Sequence, residues 1–158
     1  MKFKSVFCDT SFFIRLLDRN DALHTQSKEY FKYFIENNFE LFISTIAIAE
    51  YCVGGDIHEL PFKNLQIVPF NLKHAQRAGE FAKIIFHERN KGKLQVNDRK
   101  IIPNDTKLFA QADCEKEVAF YLSSDTESLK IYNLLKEKTT LEFRFIDLHI
   151  PYNEMFEI

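Results

Sequence analysis

At 158 residues, with 46% hydrophobic content and 17 phenylalanines, the chain carries enough apolar material for one domain with a large aromatic core. A net charge near −2 excludes a globally basic nucleic-acid binder, although it leaves room for a local basic rim around an acidic centre. Three widely spaced cysteines, Cys8, Cys52 and Cys114, with no CxxC among them, exclude a disulfide framework and a cysteine zinc site and point to a reducing compartment.

The first apolar run stops at Asp9, too soon for the core of a signal peptide. The longest uncharged run, Leu41 to Ala49, falls well short of the roughly 18 residues of a membrane span. The expectation is a soluble, cytoplasmic protein with no membrane segment.

Val6-Phe7-Cys8 reads as a buried strand that delivers Asp9 to a corner, where Thr10 and Ser11 open a short helix reaching Asp18. A second helix is expected over Asp21 to Asn38, with Phe31, Phe34 and Ile35 at helical spacing and Asn37-Asn38 as the stop. Phe39 to Ser44 is a strand, followed by a helix from Thr45 or Ile46 to Val53 that Gly54-Gly55 closes. Asp56 to Lys63, with Pro61, is irregular or briefly helical, and Leu65 to Phe70 is a third strand.

From Leu72 to about His87 the pattern is amphipathic, with Leu72, Ala75, Ala78, Gly79, Ala82, Ile85 and Phe86 on one face. Its small residues suit close packing on the sheet or, alternatively, a homodimer face. Glu88 to Asn104 lacks periodicity and reads as an exposed basic flap. A helix from Asp105 to Lys116 follows, then a strand over Val118 to Leu122. Another corner at Ser123-Ser124-Asp125-Thr126 opens a helix over Ser128 to Lys138. Leu141 to Leu148 is a last strand and Pro151 to Ile158 a tail. Repeated strand-then-helix order predicts one α/β domain over residues 1–158, with a mainly parallel central sheet flanked by helices.

Asp9 and Asp125 sit at equivalent strand-to-helix corners. As single residues they are ordinary helix caps. Glu50 is the only charge between Leu41 and Val53, so it must reach solvent or meet a cation or donor. Asp105 heads a helix after basic residues, and alone it reads as a first-turn acid. Asp113, eight residues on, lies about 12 Å further along that helix, too far to share a metal, and is expected at the surface. One arrangement accounts for Asp9, Glu50, Asp105 and Asp125 together: all four near the carboxyl edge of one sheet, facing hard divalent cations.

The segments Val6-Phe7-Cys8-Asp9-Thr10-Ser11, Ser44-Thr45-Ile46-Ala47-Ile48-Ala49-Glu50, Pro103-Asn104-Asp105-Thr106-Lys107-Leu108 and Leu122-Ser123-Ser124-Asp125, in this order, resemble the PIN-domain nucleases, including the VapC-type toxin ribonucleases. The resemblance implies a three-layer PIN-like fold and a metal site of Asp9, Glu50, Asp105 and Asp125 holding Mg2+ or Mn2+. Thr10 or Ser11 would be a supporting hydroxyl and Glu127 a further acid. It also implies metal-dependent hydrolysis of RNA phosphodiesters, leaving a 5′-phosphate and a 3′-hydroxyl, and a small antitoxin protein as partner. Arg89, Lys91, Lys93, Arg99, Lys100 and Lys107 would then form a basic rim for the RNA backbone.

Competing classes are weaker. Aspartyl-phosphate enzymes resemble D-x-D-x-T/S, and Ser11 replaces the second acid; Gly54-Gly55 lacks a phosphate-loop pattern; the five histidines lie in no recognisable catalytic motif. The alternative from another class is a PIN-like RNA-binding or regulatory protein with little turnover, against which four intact acids count.

Overall fold

Ser5–Cys8 forms strand β1 and is buried at every residue, as a central parallel strand must be when helices cover both faces of its sheet. The computed structural model describes residues 4–91 and 101–158, with residues 101–103 described by their backbone alone. Within them β1, β2 (Glu40–Ser44), β3 (Leu65–Val68), β4 (Phe120–Ser123) and β5 (Arg144–Asp147) make one sheet in the order β3-β2-β1-β4-β5. Every pairing is parallel, with Cys8 opposite Ile43 on one side and Leu122 on the other.

Alternation along the strands builds two apolar layers. Val6, Cys8, Leu41, Ile43, Leu122 and Ile146 pack against α1 (Thr10–Leu17), α2 (His24–Glu36), α3 (Thr45–Tyr51) and α7 (Tyr152–Met155). Phe7, Phe42, Tyr121 and Phe145 face α4 (Leu72–Asn90), α5 (Ile101–Cys114) and α6 (Thr126–Lys138). The architecture is therefore the expected three-layer α/β fold. Phe109 anchors the second layer, with its ring 4.8 Å from Tyr121 and 5.7 Å from Phe143. At the end of α2, Asn38 adopts φ 58°, and the Phe39 amide bonds to the Phe34 carbonyl at 2.9 Å. This closure leaves Phe34 and Phe39 in ring contact at 5.0 Å, as the helix-stopping role of the two asparagines requires.

Four expectations are corrected by the structure. Helix α4 buries His74, Ala78, Phe81, Ile85 and Glu88, whereas Leu72 is 86% exposed and Ala75 and Gly79 face solvent. Its rotation follows from Phe81, which buries more apolar area than the small residues, and from His74. The His74 side chain joins Asn71 in a capping box and meets Glu115 Oε1 at 2.8 Å. Asp113 is not a surface acid: its side chain is 7% exposed, receives Arg77 Nε at 2.8 Å and accepts the Glu142 amide at 2.8 Å.

The expected flap is shorter at both ends, because α4 continues to Asn90 and α5 already begins at Ile101. Pro103 is tolerated there because the first turn of a helix needs no amide hydrogen at that point. Residues 92–100 lie outside the described residues. The tail is also structured: Tyr152 and Phe156 stack on Tyr33, each at 5.0 Å between ring centres, and Phe156 meets Phe120 edge-on at 5.6 Å. Phe156→Ala should therefore cost about 1.5–3 kcal/mol in a denaturant titration. An unchanged midpoint would show that α7 is not part of the core.

Candidate functional site

Because all strands run the same way, their carboxyl ends share one edge. The chain builds β2 and β3 on one side of β1 and returns to place β4 and β5 on the other. The reversal falls between β1 and β4, the kind of switch point outside which open α/β sheets bind ligands. Asp9 leaves β1 and Asp125 leaves β4 at that point.

Asp9 caps α1 and is 7% exposed. Its Oδ1 accepts the Thr10 amide at 2.7 Å, while Oδ2 accepts the hydroxyls of Ser11 at 2.9 Å and Ser123 at 2.7 Å. Burial pushes its pKa up and the charge of Asp125 adds to this, whereas the donors from Ser123, Ser11 and Thr10 pull it down. Asp125 caps α6 by accepting the Glu127 amide at 2.9 Å, and its own amide bonds to Ser123 Oγ at 3.0 Å. Ser123 thus joins the two corner acids directly.

Glu50 lies on α3, which Ser44 caps through the Ile46 amide. Its pKa is raised by burial and by Asp9, with Thr10 opposing. Asp105 is 7% exposed on α5, and its pKa is pushed up to about 8, first by burial, then by Asp9 and Asp125, with a smaller push from Glu50. Ser128 on α6 opposes this rise. Glu50 Oε1, Asp105 Oδ2 and the hydroxyl oxygens of Thr10 and Ser128 are nevertheless buried without a well-formed hydrogen bond. The structure therefore brings Asp9 and Asp105 each within electrostatic reach of the other three expected acids, with the four on four different elements. Among the described residues, no three His, Cys, Asp or Glu side chains stand so that they could hold one metal ion.

Of the two supporting hydroxyls, Ser11 contacts Asp9 and accepts the Ser124 amide at 3.1 Å, while Thr10 contributes its amide. Glu127 pairs with Lys130 Nζ at 2.9 Å through Oε1, and its Oε2 is buried without a partner. Lys107 is half-buried on α5, and Arg89 and Lys91 lie at the end of α4. Glu88, next to Arg89, meets Lys138 Nζ at 3.6 Å in the last turn of α6, about 20 Å along that helix from its Asp125 cap. Lys93, Arg99 and Lys100 lie outside the described residues.

Three participants were not read from the sequence as site residues: Ser123, Arg15 and Tyr121. The serine pair before Asp125 mirrors Thr10-Ser11 and was the available signal for Ser123. Tyr121 had none, since a tyrosine in an apolar strand looks like any core residue. Its hydroxyl is fully buried without a partner, and its pKa is raised by burial and then by Asp9, Asp105, Glu50 and Asp125 in turn, so it lies beneath the acids.

This sheet order, with its helical layers and acidic edge, defines a PIN-like α/β domain. Among solved structures the chain is similar to VapBC2 from Rickettsia felis bound to a DNA fragment from its promoter, at 16% identity and a TM-score of 0.57, covering 90% of this chain and 99% of that one. It is also similar to DNA-bound VapBC from Salmonella typhimurium, at 15% identity and a TM-score of 0.54, covering 94% and 99%. Mycobacterium tuberculosis VapC20, described as a sarcin-ricin loop cleaving toxin, follows at 15% identity and a TM-score of 0.53, covering 87% and 97%. At these identities the likeness establishes the fold. No protein-family model matches the sequence, and no curated protein does.

Proposed function

We propose that the chain is a divalent-metal-dependent endoribonuclease that acts as the toxin of a toxin and antitoxin pair. The observation that carries this reading is the pair of buried carboxylate oxygens, Glu50 Oε1 and Asp105 Oδ2, left without a well-formed hydrogen bond beside Asp9. Burying carboxylates that repel one another is costly unless a cation meets them.

The donor set suits Mg2+ or Mn2+, both hard ions that prefer oxygen. Since no three acids among the described residues stand ready around one point, an ion held through one or two carboxylates, with water completing its shell, fits better than an all-protein cage. When bound, it supplies a polarised water and offsets charge building on the phosphoryl oxygens. The chain's own part is to hold Asp9 rigid through Thr10, Ser11 and Ser123, to offer Glu50 and Asp105 lone pairs, and to place Asp125 on the opposite lip of the switch point. Glu127 is the candidate fifth acid.

An antitoxin partner is supported by the VapBC assemblies among the similar structures, and the same likeness makes a homodimer worth testing. No helix among the described residues is long and apolar enough to cross a membrane.

The purified protein should cleave single-stranded RNA with Mn2+ or Mg2+ and not after chelation. Asp9→Asn should lose at least about a hundredfold in rate yet stay folded, because asparagine caps a helix as well as aspartate does. Glu50→Gln should behave likewise. RNA binding without metal-dependent cleavage by the wild type would refute the nuclease and leave an RNA-binding PIN-like protein.

A further inference from the structure

The crevice between the segments leaving β1 and β4 extends beyond the acids. A cleft of about 490 Å³ lies there, lined by Ser11, Ile14 and Arg15 of α1, Asp21, the Ser124-Asp125-Thr126 corner and His149. It shares Ser11 and Asp125 with the acidic site and so is continuous with it. Its cation is held in place: Arg15 Nε donates to Ser124 Oγ at 2.7 Å and Nη1 to Asp21 Oδ1 at 2.9 Å. Asp21 is itself fixed by accepting the Leu23 amide at 2.8 Å. Nη2 makes no hydrogen bond among the described residues. On the other wall, His149 Nδ1 is engaged with Asp147 Oδ1 at 2.7 Å.

Arg15 is also in register with the chemistry. Ser11 and Arg15 are four residues apart on one face of α1, about 6 Å along its axis. A chain of contacts runs from Arg15 to Ser124, from the Ser124 amide to Ser11, and from Ser11 to Asp9 Oδ2. A group held at Arg15 is therefore linked to Asp9 through Ser124 and Ser11. A polyanion approaching four carboxylates needs such a fixed cation, and the unengaged Nη2 of the guanidinium can donate to a phosphate oxygen in a directional way.

We propose that this cleft binds the phosphate next to the scissile one in an RNA substrate, with Arg15 as its anchor. The proposal rests on the nuclease reading given above. Arg15 is then a substrate-binding residue.

The test compares wild type, Arg15→Met, Arg15→Lys and Asp21→Asn on one single-stranded RNA oligonucleotide, with thermal melting as the check on folding. Arg15→Met should raise KM roughly ten- to a hundredfold, the effect of losing a hydrogen bond to a charged group, with a much smaller change in kcat. Its binding should lose about 0.7 from the slope of log K against log salt, the share of one phosphate contact. Arg15→Lys should recover part of the affinity. Asp21→Asn should lower KM, since it removes a carboxylate from the cleft and keeps the guanidinium. If Asp21→Asn raises KM as much as Arg15→Met does, Arg15 serves only its ion pair and the proposal fails. An unchanged KM and salt slope in a folded Arg15→Met variant overturns it equally. Failure of the wild type to cleave RNA at all would instead refute the nuclease reading, so the two outcomes are separable.

Discussion

Asp105→Asn is expected to make the metal-free protein more stable at pH 8 while abolishing RNA cleavage. Asp105 is 7% exposed, and its pKa is pushed up to about 8 by burial and by Asp9, Asp125 and Glu50. Against an ordinary value of 3.8, carrying the charge above pH 8 costs on the order of 5 kcal/mol, a large share of a domain's typical stability. Asparagine keeps the shape and removes that cost. The same change takes away the carboxylate lone pair that the nuclease reading requires, so stability and activity should move in opposite directions. Denaturant titration at pH 8 with a chelator, beside a cleavage assay with Mn2+, checks both. A variant that is less stable without metal would show that Asp105 is held by favourable partners, and the acids would not be a strained site.

The wild type should show the matching pH dependence. An acid whose pKa is higher in the folded state binds more protons there, so stability falls as pH rises between the unfolded and folded values. For Asp105 that window runs from about pH 4 to about pH 8, and Asp9 and Glu50 shift in the same direction. Asp21 and Glu115, whose pKa values are lowered, act in the opposite sense and below about pH 4.5. Chelated protein should therefore melt at progressively lower temperature from pH 5 to pH 8. Mn2+ in hundredfold excess over its Kd should restore about 2.7 kcal/mol at pH 8, and much less at pH 5, where protons compete for the same oxygens. Stability that is flat across this range, or indifferent to Mn2+ at pH 8, would mean that the acids do not share one cation-dependent field.

The arrangement of the corners was legible because local chemistry dictates it. A short apolar strand followed by Asp-Thr-Ser or Ser-Ser-Asp-Thr must turn, and the carboxylate satisfies the first amides of the next helix, which happens at both Asp9 and Asp125. Glu50 stood out for the same kind of reason, as a lone charge in an apolar stretch. Faces were harder to read. In α4 the small residues suggested a packing stripe, but His74 and Phe81 set the rotation through partners on other elements. Asp113 was placed at the surface because its partners, Arg77 and the Glu142 amide, lie 36 and 29 residues away in the chain. The α7 segment looked like a tail because its contacts are with Tyr33, Phe34 and Phe120, none of them nearby in sequence.

By itself, the sequence determined most of the elements, their strand-then-helix alternation and hence a mainly parallel sheet flanked by helices, along with the two acids, Asp9 and Asp125, that sit at strand ends. These follow from hydrophobic period and from capping, both of which act over a few residues. Only the tertiary structure decided that β1 lies between β2 and β4, so that Asp9 meets Asp125 across the switch point with Ser123 between them. It alone decided that Tyr121 lies beneath the acids and that Arg15 opens a cleft beside them. Strand order and side-chain convergence depend on contacts across more than a hundred residues of chain, and no local pattern encodes those.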